Sequence, residues 1–67
     1  MILVLQDSVT SNTIGEITVD FVPNVGDTFI YDEGLPTETH YQITKRLVPT
    51  LLRDGEKVIR VRVHVVT

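Results

Sequence analysis

Two histidines are the first residues in this sequence that could support chemistry. His40 and His64 fall on the outward faces of two neighbouring predicted strands, where they would be diagonal neighbours. Diagonal positions are roughly 7–8 Å apart at Cα, so a shared metal ion would require both side chains to lean inward, with Glu38 as a third ligand. Solvated histidines on strands are far commoner than such sites. We therefore expect no metal and no cofactor.

Covalent catalysis is also not indicated by the residue pattern. A nucleophilic role for Ser8 or Ser11 would need a neighbouring base and an oxyanion hole, and the sequence signals neither. The four glycines are scattered along the chain and form no phosphate-binding loop. The sequence therefore predicts a protein that is not an enzyme.

A stripe of positive charge is the strongest polar signal. It lies on the predicted outer face of the last two long strands and consists of Arg46, Arg60, Arg62 and His64. Such a stripe could contact an anion or a nucleic acid, but no aromatic side chain is interleaved for base stacking. The net charge of −3 also disfavours non-specific nucleic-acid binding. The alternative is that Glu16 and Asp20 on a nearby strand neutralise the arginines.

Outward apolar residues indicate contact with another protein. The first strand has apolar side chains on both faces, with Ile2 and Val4 on the second face, and Leu51 and Leu52 occupy a loop. Val66 adds apolar surface on the last strand. A strand that is apolar on both faces is central in a sheet or lies at an interface. We predict a protein interface at these five residues and expect the chain to form a homo-oligomer.

The composition determines the kind of scaffold that must position these residues. The chain has 67 residues, with 11 valines, 6 isoleucines and 9 threonines, and it has no cysteine, tryptophan or alanine. β-branched residues favour strands, and alanine is the best helix former. The length allows one domain, residues 1–67. The first five residues are apolar but too few for a signal or membrane segment, and the absence of cysteine suits the cytoplasm, so we expect a cytoplasmic protein without a membrane partner.

Five runs alternate between apolar and polar residues and are separated by turn signals. They predict antiparallel strands at 1–6, 14–21, 28–31, 39–48 and 57–66, closed into a small barrel that leaves no exposed edge. Lys45 falls on the apolar face by strict alternation, so a β-bulge near Lys45 is expected to turn it outward. The predicted core is Leu3, Ile17, Val19, Phe21, Phe29, Tyr41, Ile43, Ile59, Val61 and Val63.

Residues 22–29, Val-Pro-Asn-Val-Gly-Asp-Thr-Phe, resemble a segment common in SH3-like small barrels, in which a proline and a Gly-Asp turn precede a hydrophobic strand. Tyr41-Gln42-Ile43 and the final valine-rich strand are similar to the second half of many uncharacterised small bacterial and phage proteins. The resemblance covers residues 21–66, implies an SH3-like barrel and carries no catalytic or binding residue with it.

These observations predict a small non-enzymatic module that acts by protein–protein contact, as an oligomer, with another protein as its partner. The resemblance implies a phage or bacterial accessory protein. The second hypothesis is a barrel associated with nucleic acid through Arg46, Arg60 and Arg62.

Overall fold

The computed structural model describes residues 1–66, which form six β-strands and no helix, and therefore no helix that could cross a membrane. The strands are β1 (Ile2–Asp7), β2 (Thr13–Thr18), β3 (Thr28–Tyr31), β4 (Thr39–Arg46), β5 (Thr50–Leu51) and β6 (Lys57–Val65). The all-β prediction is confirmed, as expected from a chain rich in β-branched residues.

One sheet contains all six strands in the order β2-β1-β6-β4-β3, and the short β5 pairs with the beginning of β6. β1 and β6 are parallel, and the other pairs are antiparallel. The sheet curls strongly into a half-barrel. The expected five-stranded, purely antiparallel, closed barrel was therefore wrong in three respects: the strand number, the mixed sheet and the lack of closure.

The core lies on the inner, concave face of the central strands. Its fully buried side chains come from β1, β4 and β6, and they alternate with outward residues as the period of a strand requires. Tyr41 joins them, and its ring packs against those of Phe29 and Tyr31, at centroid distances of 5.8 and 6.3 Å. The buried residues of this core are Leu3, Leu5, Tyr41, Ile43, Ile59, Val61 and Val63. Val58 is also buried, but it lies on the outer face between Ile2 and Thr50.

Phe21 is the clearest error in the predicted core, because 65% of its surface is exposed. β2 runs antiparallel to β1, and the Val19 N–H donates the last hydrogen bond between them, to the Met1 carbonyl oxygen (2.9 Å). Beyond Val19 the chain passes the start of β1 and has no neighbouring strand to pair with. Phe21 therefore lies outside β2, and Ile17, Val19 and Phe29 are only partly buried.

The predicted fourth strand, 39–48, ends two residues early at Arg46, and a short strand that was not predicted, β5, follows it. The sheet register shifts between Ile43 and Lys45, which places Lys45 opposite Arg62 on the outer face. This confirms the expected β-bulge. The chain then turns at Leu47–Pro49, where proline cannot donate to the sheet, and it rejoins β6 as β5.

The Gly-Asp step of residues 26–27 forms a turn, as expected. Gly26 has φ of 96°, which favours glycine, and the Asp27 carboxylate accepts a hydrogen bond from the Asn24 N–H (2.9 Å). This turn leads the chain into β3 at one side of the half-barrel.

Candidate protein-binding site

The two edge strands, β2 and β3, face each other across the open side of the half-barrel. No Cα atom of β2 lies within 8 Å of a Cα atom of β3, whereas paired strands lie about 4.7–4.9 Å apart. We call this gap the seam. Its two edges are the sheet edges that the strand order leaves unpaired within residues 1–66.

One end of the seam is bridged by a side chain. The hydroxyl group of Tyr31 on β3 lies so close to Gly15 that a Cβ atom at this position of β2 would clash with it unless the tyrosine shifted. The Tyr31 ring also packs against Tyr41 in the core. The seam is therefore wider than a strand pair but narrow enough for one tyrosine side chain to cross.

An apolar cleft of about 180 Å³ lies along the rest of the seam. Phe21 and Ile30 at this cleft are 65% and 44% exposed. Its volume is below the roughly 300–1,000 Å³ of typical small-molecule sites, so its shape suits side chains of another polypeptide better than a free ligand. The lining residues are Leu3, Ile17, Val19, Phe21, Pro23, Asp27, Thr28, Phe29 and Ile30.

Negative charge surrounds the seam. Residues 1–44 contain no lysine or arginine and seven of the nine carboxylates, whereas residues 45–67 contain all six basic residues and two carboxylates. The first part therefore carries −7 and the second +4, which sum to the net charge of −3. Glu16 on β2, Asp20 after it and Asp27 before β3 are all exposed. We call these three residues the acidic rim.

The predicted protein-interface residues do not form one surface. Ile2 and Val4 are half-buried in β1, which is paired on both edges, so its backbone is not free to bind a partner. Leu51 and Leu52 lie at the β5–β6 turn, 71% and 46% exposed. Val66 is 38% exposed next to β4, where its N–H donates to the His40 carbonyl oxygen (2.7 Å).

The predicted basic stripe is divided between the two faces of the sheet. Arg46 pairs with Val61, whose side chain is fully buried, so the β-bulge places Arg46 on the inner side. There its Nη1 lies 3.5 Å from the Pro23 carbonyl oxygen, in a cavity of about 430 Å³ that Lys57 also lines. The prediction that Arg46 shares the outer face with Arg60 and Arg62 is therefore wrong.

Arg60, Arg62 and Lys45 remain on the outer face. Arg60 Nη1 donates to the Thr50 hydroxyl (3.0 Å), and Arg62 Nε donates to the Gln6 side-chain oxygen (3.1 Å). Within residues 1–66 the ion pairs are Met1 amino group–Glu56 (3.0 Å) and His40–Glu38 (3.3 Å), and neither involves a lysine or an arginine. Glu16 and Asp20 therefore form no ion pair with these cations in the described part of the chain.

His40 and His64 are diagonal neighbours on adjacent strands, as predicted. His64 is opposite Gln42, so His40 is its diagonal neighbour across β4 and β6. His40 Nε2 lies 3.3 Å from Glu38 Oε2. The Gly34 N–H and His40 both stabilise the Glu38 carboxylate and lower its pKa. No group of three side chains suited to a metal ion is found among residues 1–66.

The seam was missed because its residues read as ordinary core in the sequence. Phe21 continues the alternation of Ile17 and Val19. Nothing in this pattern indicates that Phe21 has passed the start of β1 and has no strand to pair with. One signal was present: the acidic and basic residues separate at residue 44. Comparison with known protein families, curated proteins and solved structures finds no match to this chain, so the geometry of the site carries the functional argument.

Proposed function

We propose that the chain is a small non-enzymatic interaction module that binds another protein at the seam. The observation that carries this proposal is an unclosed barrel with an exposed phenylalanine beside an apolar cleft. Exposed apolar surface next to unpaired strand edges is a common feature of protein-binding sites. Phe21 is the anchor of this surface because aromatic side chains dominate the energetics of interfaces.

The proposal is tested by selecting binders from a displayed library of random peptides against the immobilised chain. Recovered peptides are then measured against the wild type, Phe21→Asp and Leu51→Asp. Phe21 and Leu51 have similar exposure, 65% and 71%, so the second variant is a matched control at the other apolar site. We expect Phe21→Asp to abolish binding and Leu51→Asp to leave it unchanged. Peptides lost only with Leu51→Asp would place the interface at the β5–β6 turn and overturn the proposal.

Self-association is part of this proposal. Val4 lies on the outer face between Glu16 and Arg60, and the exposed Val66 is on the same face just beyond the end of β6, whereas Leu51 pairs with Lys57 on the inner side. Because the backbone of β1 is already paired, side chains alone would form the contact. Sedimentation equilibrium should show a species larger than the 7.6 kDa chain, and Val4→Lys should dissociate it. A monomer at micromolar concentration would refute self-association and leave the seam proposal intact.

A second candidate function is binding of a nucleic acid through the outer face. The absence of an ion-paired carboxylate on Arg60, Arg62 and Lys45 within residues 1–66 supports it. Each cation that contacts a phosphate adds about one to the slope of log K against log salt concentration. We therefore expect Arg60→Gln or Arg62→Gln to lower that slope, with Arg46→Gln as the inner-face control. A chain that shifts no DNA or RNA in a low-salt gel excludes this function.

We also propose kinship with SH3-like small barrels and an origin as a phage or bacterial accessory protein. The Gly-Asp turn before β3 supports the first part. The parallel pairing of β1 with β6 departs from the purely antiparallel barrel that we expected from the resemblance.

A further inference from the structure

The two edges of the seam are too far apart to pair with each other. They lie more than 8 Å apart at Cα, and one tyrosine side chain spans the gap at its narrow end. Two successive strand spacings are about 9.5 Å. A strand that pairs with both β2 and β3 would hold these edges about 9.5 Å apart and would close the half-barrel.

Both edges present free backbone groups to such a strand. The Val19 N–H bonds to the Met1 carbonyl oxygen, so in the alternating antiparallel pattern the backbone groups of Glu16 and Thr18 point away from β1. The Ile43 N–H likewise bonds to the Asp27 carbonyl oxygen (2.9 Å), which directs the backbone groups of Thr28 and Ile30 away from β4.

The strand directions constrain the occupant. β1 is antiparallel to β2 and parallel to β6, and β6 and β3 are each antiparallel to β4. β2 and β3 therefore run in opposite directions, and an inserted strand must be parallel to one and antiparallel to the other. Both kinds of pairing are already present in this sheet.

The two faces of the inserted strand would meet different surroundings. Its inward side chains would enter the apolar cleft formed by Ile17, Val19 and Phe29. Its outward side chains would lie beside the exposed carboxylates of the acidic rim, while Arg46 contacts the Pro23 carbonyl oxygen from the inner side. Complementarity therefore requires apolar residues inward and basic residues outward, alternating with the period of a strand.

Building on the proposed function, we propose that the partner presents an extended segment with alternating apolar and basic residues, which adds to β2 and β3 as the missing strand. Hydrogen bonds to the free backbone groups of both seam edges supply affinity, and the acidic rim favours a positively charged segment. A helical peptide cannot meet both edges, because its backbone groups are bonded internally.

The test uses three peptides of about six residues, the usual length of a strand. The first alternates lysine with valine, the second alternates glutamate with valine, and the third is the first with alternate amides N-methylated. At low salt we expect the lysine peptide to bind about tenfold tighter than the glutamate peptide, through several exposed ion pairs. Added salt should shrink this difference. The N-methylated peptide should not bind, because it cannot pair with one of the edges.

Amide hydrogen exchange followed by NMR locates the bound peptide. We expect new protection at Glu16, Thr18, Thr28 and Ile30 when the lysine peptide is added, and none with the uncharged variant Phe21→Ser. Equal binding of the lysine and glutamate peptides, or binding that leaves these four amides unprotected, overturns this inference. Library peptides that require Phe21 but do not alternate apolar and basic residues would refute strand insertion alone. They would still support the proposal that the seam binds another protein.

Discussion

The back of the half-barrel and its open side use the same sequence pattern with opposite results. On β6, Val61 and Val63 alternate with arginines and are fully buried. From β2 onward, Ile17, Val19 and Phe21 alternate with polar residues in the same way, yet burial falls along the series until Phe21 is 65% exposed. β6 has neighbours on both edges, whereas β2 has a neighbour on one. Alternation thus defines which side chains share a face, and neighbouring strands determine whether that face is covered.

The largest expected difference between the two regions is in the free energy of unfolding that is lost when one side chain in each is truncated. Leu5→Ala removes a fully buried side chain and should lower the free energy of unfolding by about 2–5 kcal/mol. Phe21→Ala, at an exposed position, should cost less than about 1 kcal/mol. Urea unfolding of both variants measures the difference. Equal losses would mean that Phe21 is buried in solution and that the open side is covered.

The next prediction concerns the bridge across the narrow end of the seam. Gly15→Ala places a methyl group against the Tyr31 hydroxyl and should destabilise the chain by about 1–3 kcal/mol through overpacking. Tyr31→Phe removes the hydroxyl and should recover part of that loss in the double variant. A double-mutant cycle measures the coupling. Additive effects would contradict the contact between the two edge strands.

The smallest effect is a pH dependence that arises at two turns outside the seam. Asp7, at the end of β1, accepts hydrogen bonds from the Thr10 and Val9 N–H groups, which lower its pKa below the ordinary value of 3.8. Glu38, in the loop before β4, has a pKa lowered chiefly by the Gly34 N–H. A carboxyl whose pKa falls on folding stabilises the native state above its unfolded pKa, and this contribution disappears as the pH drops through the folded pKa.

Stability should therefore decline on acidification below about pH 4, near the unfolded pKa values of these carboxyls. Asp7→Asn and Glu38→Gln should each flatten the decline, as measured by thermal unfolding across pH. Asp54→Asn serves as a control at another turn, where the carboxylate accepts one backbone hydrogen bond, from the Glu56 N–H. An unchanged acid profile in both test variants would contradict the role of the two turns.

The strands themselves could be predicted from sequence because each depends on local alternation and turn residues. Five of the six start within one residue of a predicted run, and the bulge beside Lys45 followed from one residue on the wrong face. The short β5 could not be predicted, because Thr50 and Leu51 are ordered by pairing with Val58 and Lys57 rather than by their own pattern.

The candidate site could not be predicted, because it depends on which strands are neighbours. The stripe of Arg46, Arg60 and Arg62 assumed an unbroken register, and the bulge moved Arg46 to the inner face. The seam exists because β2 and β3 are the two ends of the strand order and do not pair with each other. Neither strand contains a residue that excludes pairing, so the sequence could not predict this gap. Closure is a property of the sheet as a whole, so no short segment encodes it.

The parallel pair of β1 and β6 also governs how the chain reaches this structure. Ile2 pairs with Val58, 56 positions later, and β6 lies at the centre of the sheet although it is the last strand in sequence. Before residues 57–65 leave the ribosome, the β1–β2 and β3–β4 hairpins have no common neighbour, and isolated hairpins are marginal in water. Because β6 joins the two hairpins, we expect folding to wait until residues 57–65 have been made; such non-local topologies then fold in roughly milliseconds to seconds. A nascent chain stopped before β6 would expose two apolar hairpin faces, which makes it a substrate for chaperones and a risk for aggregation.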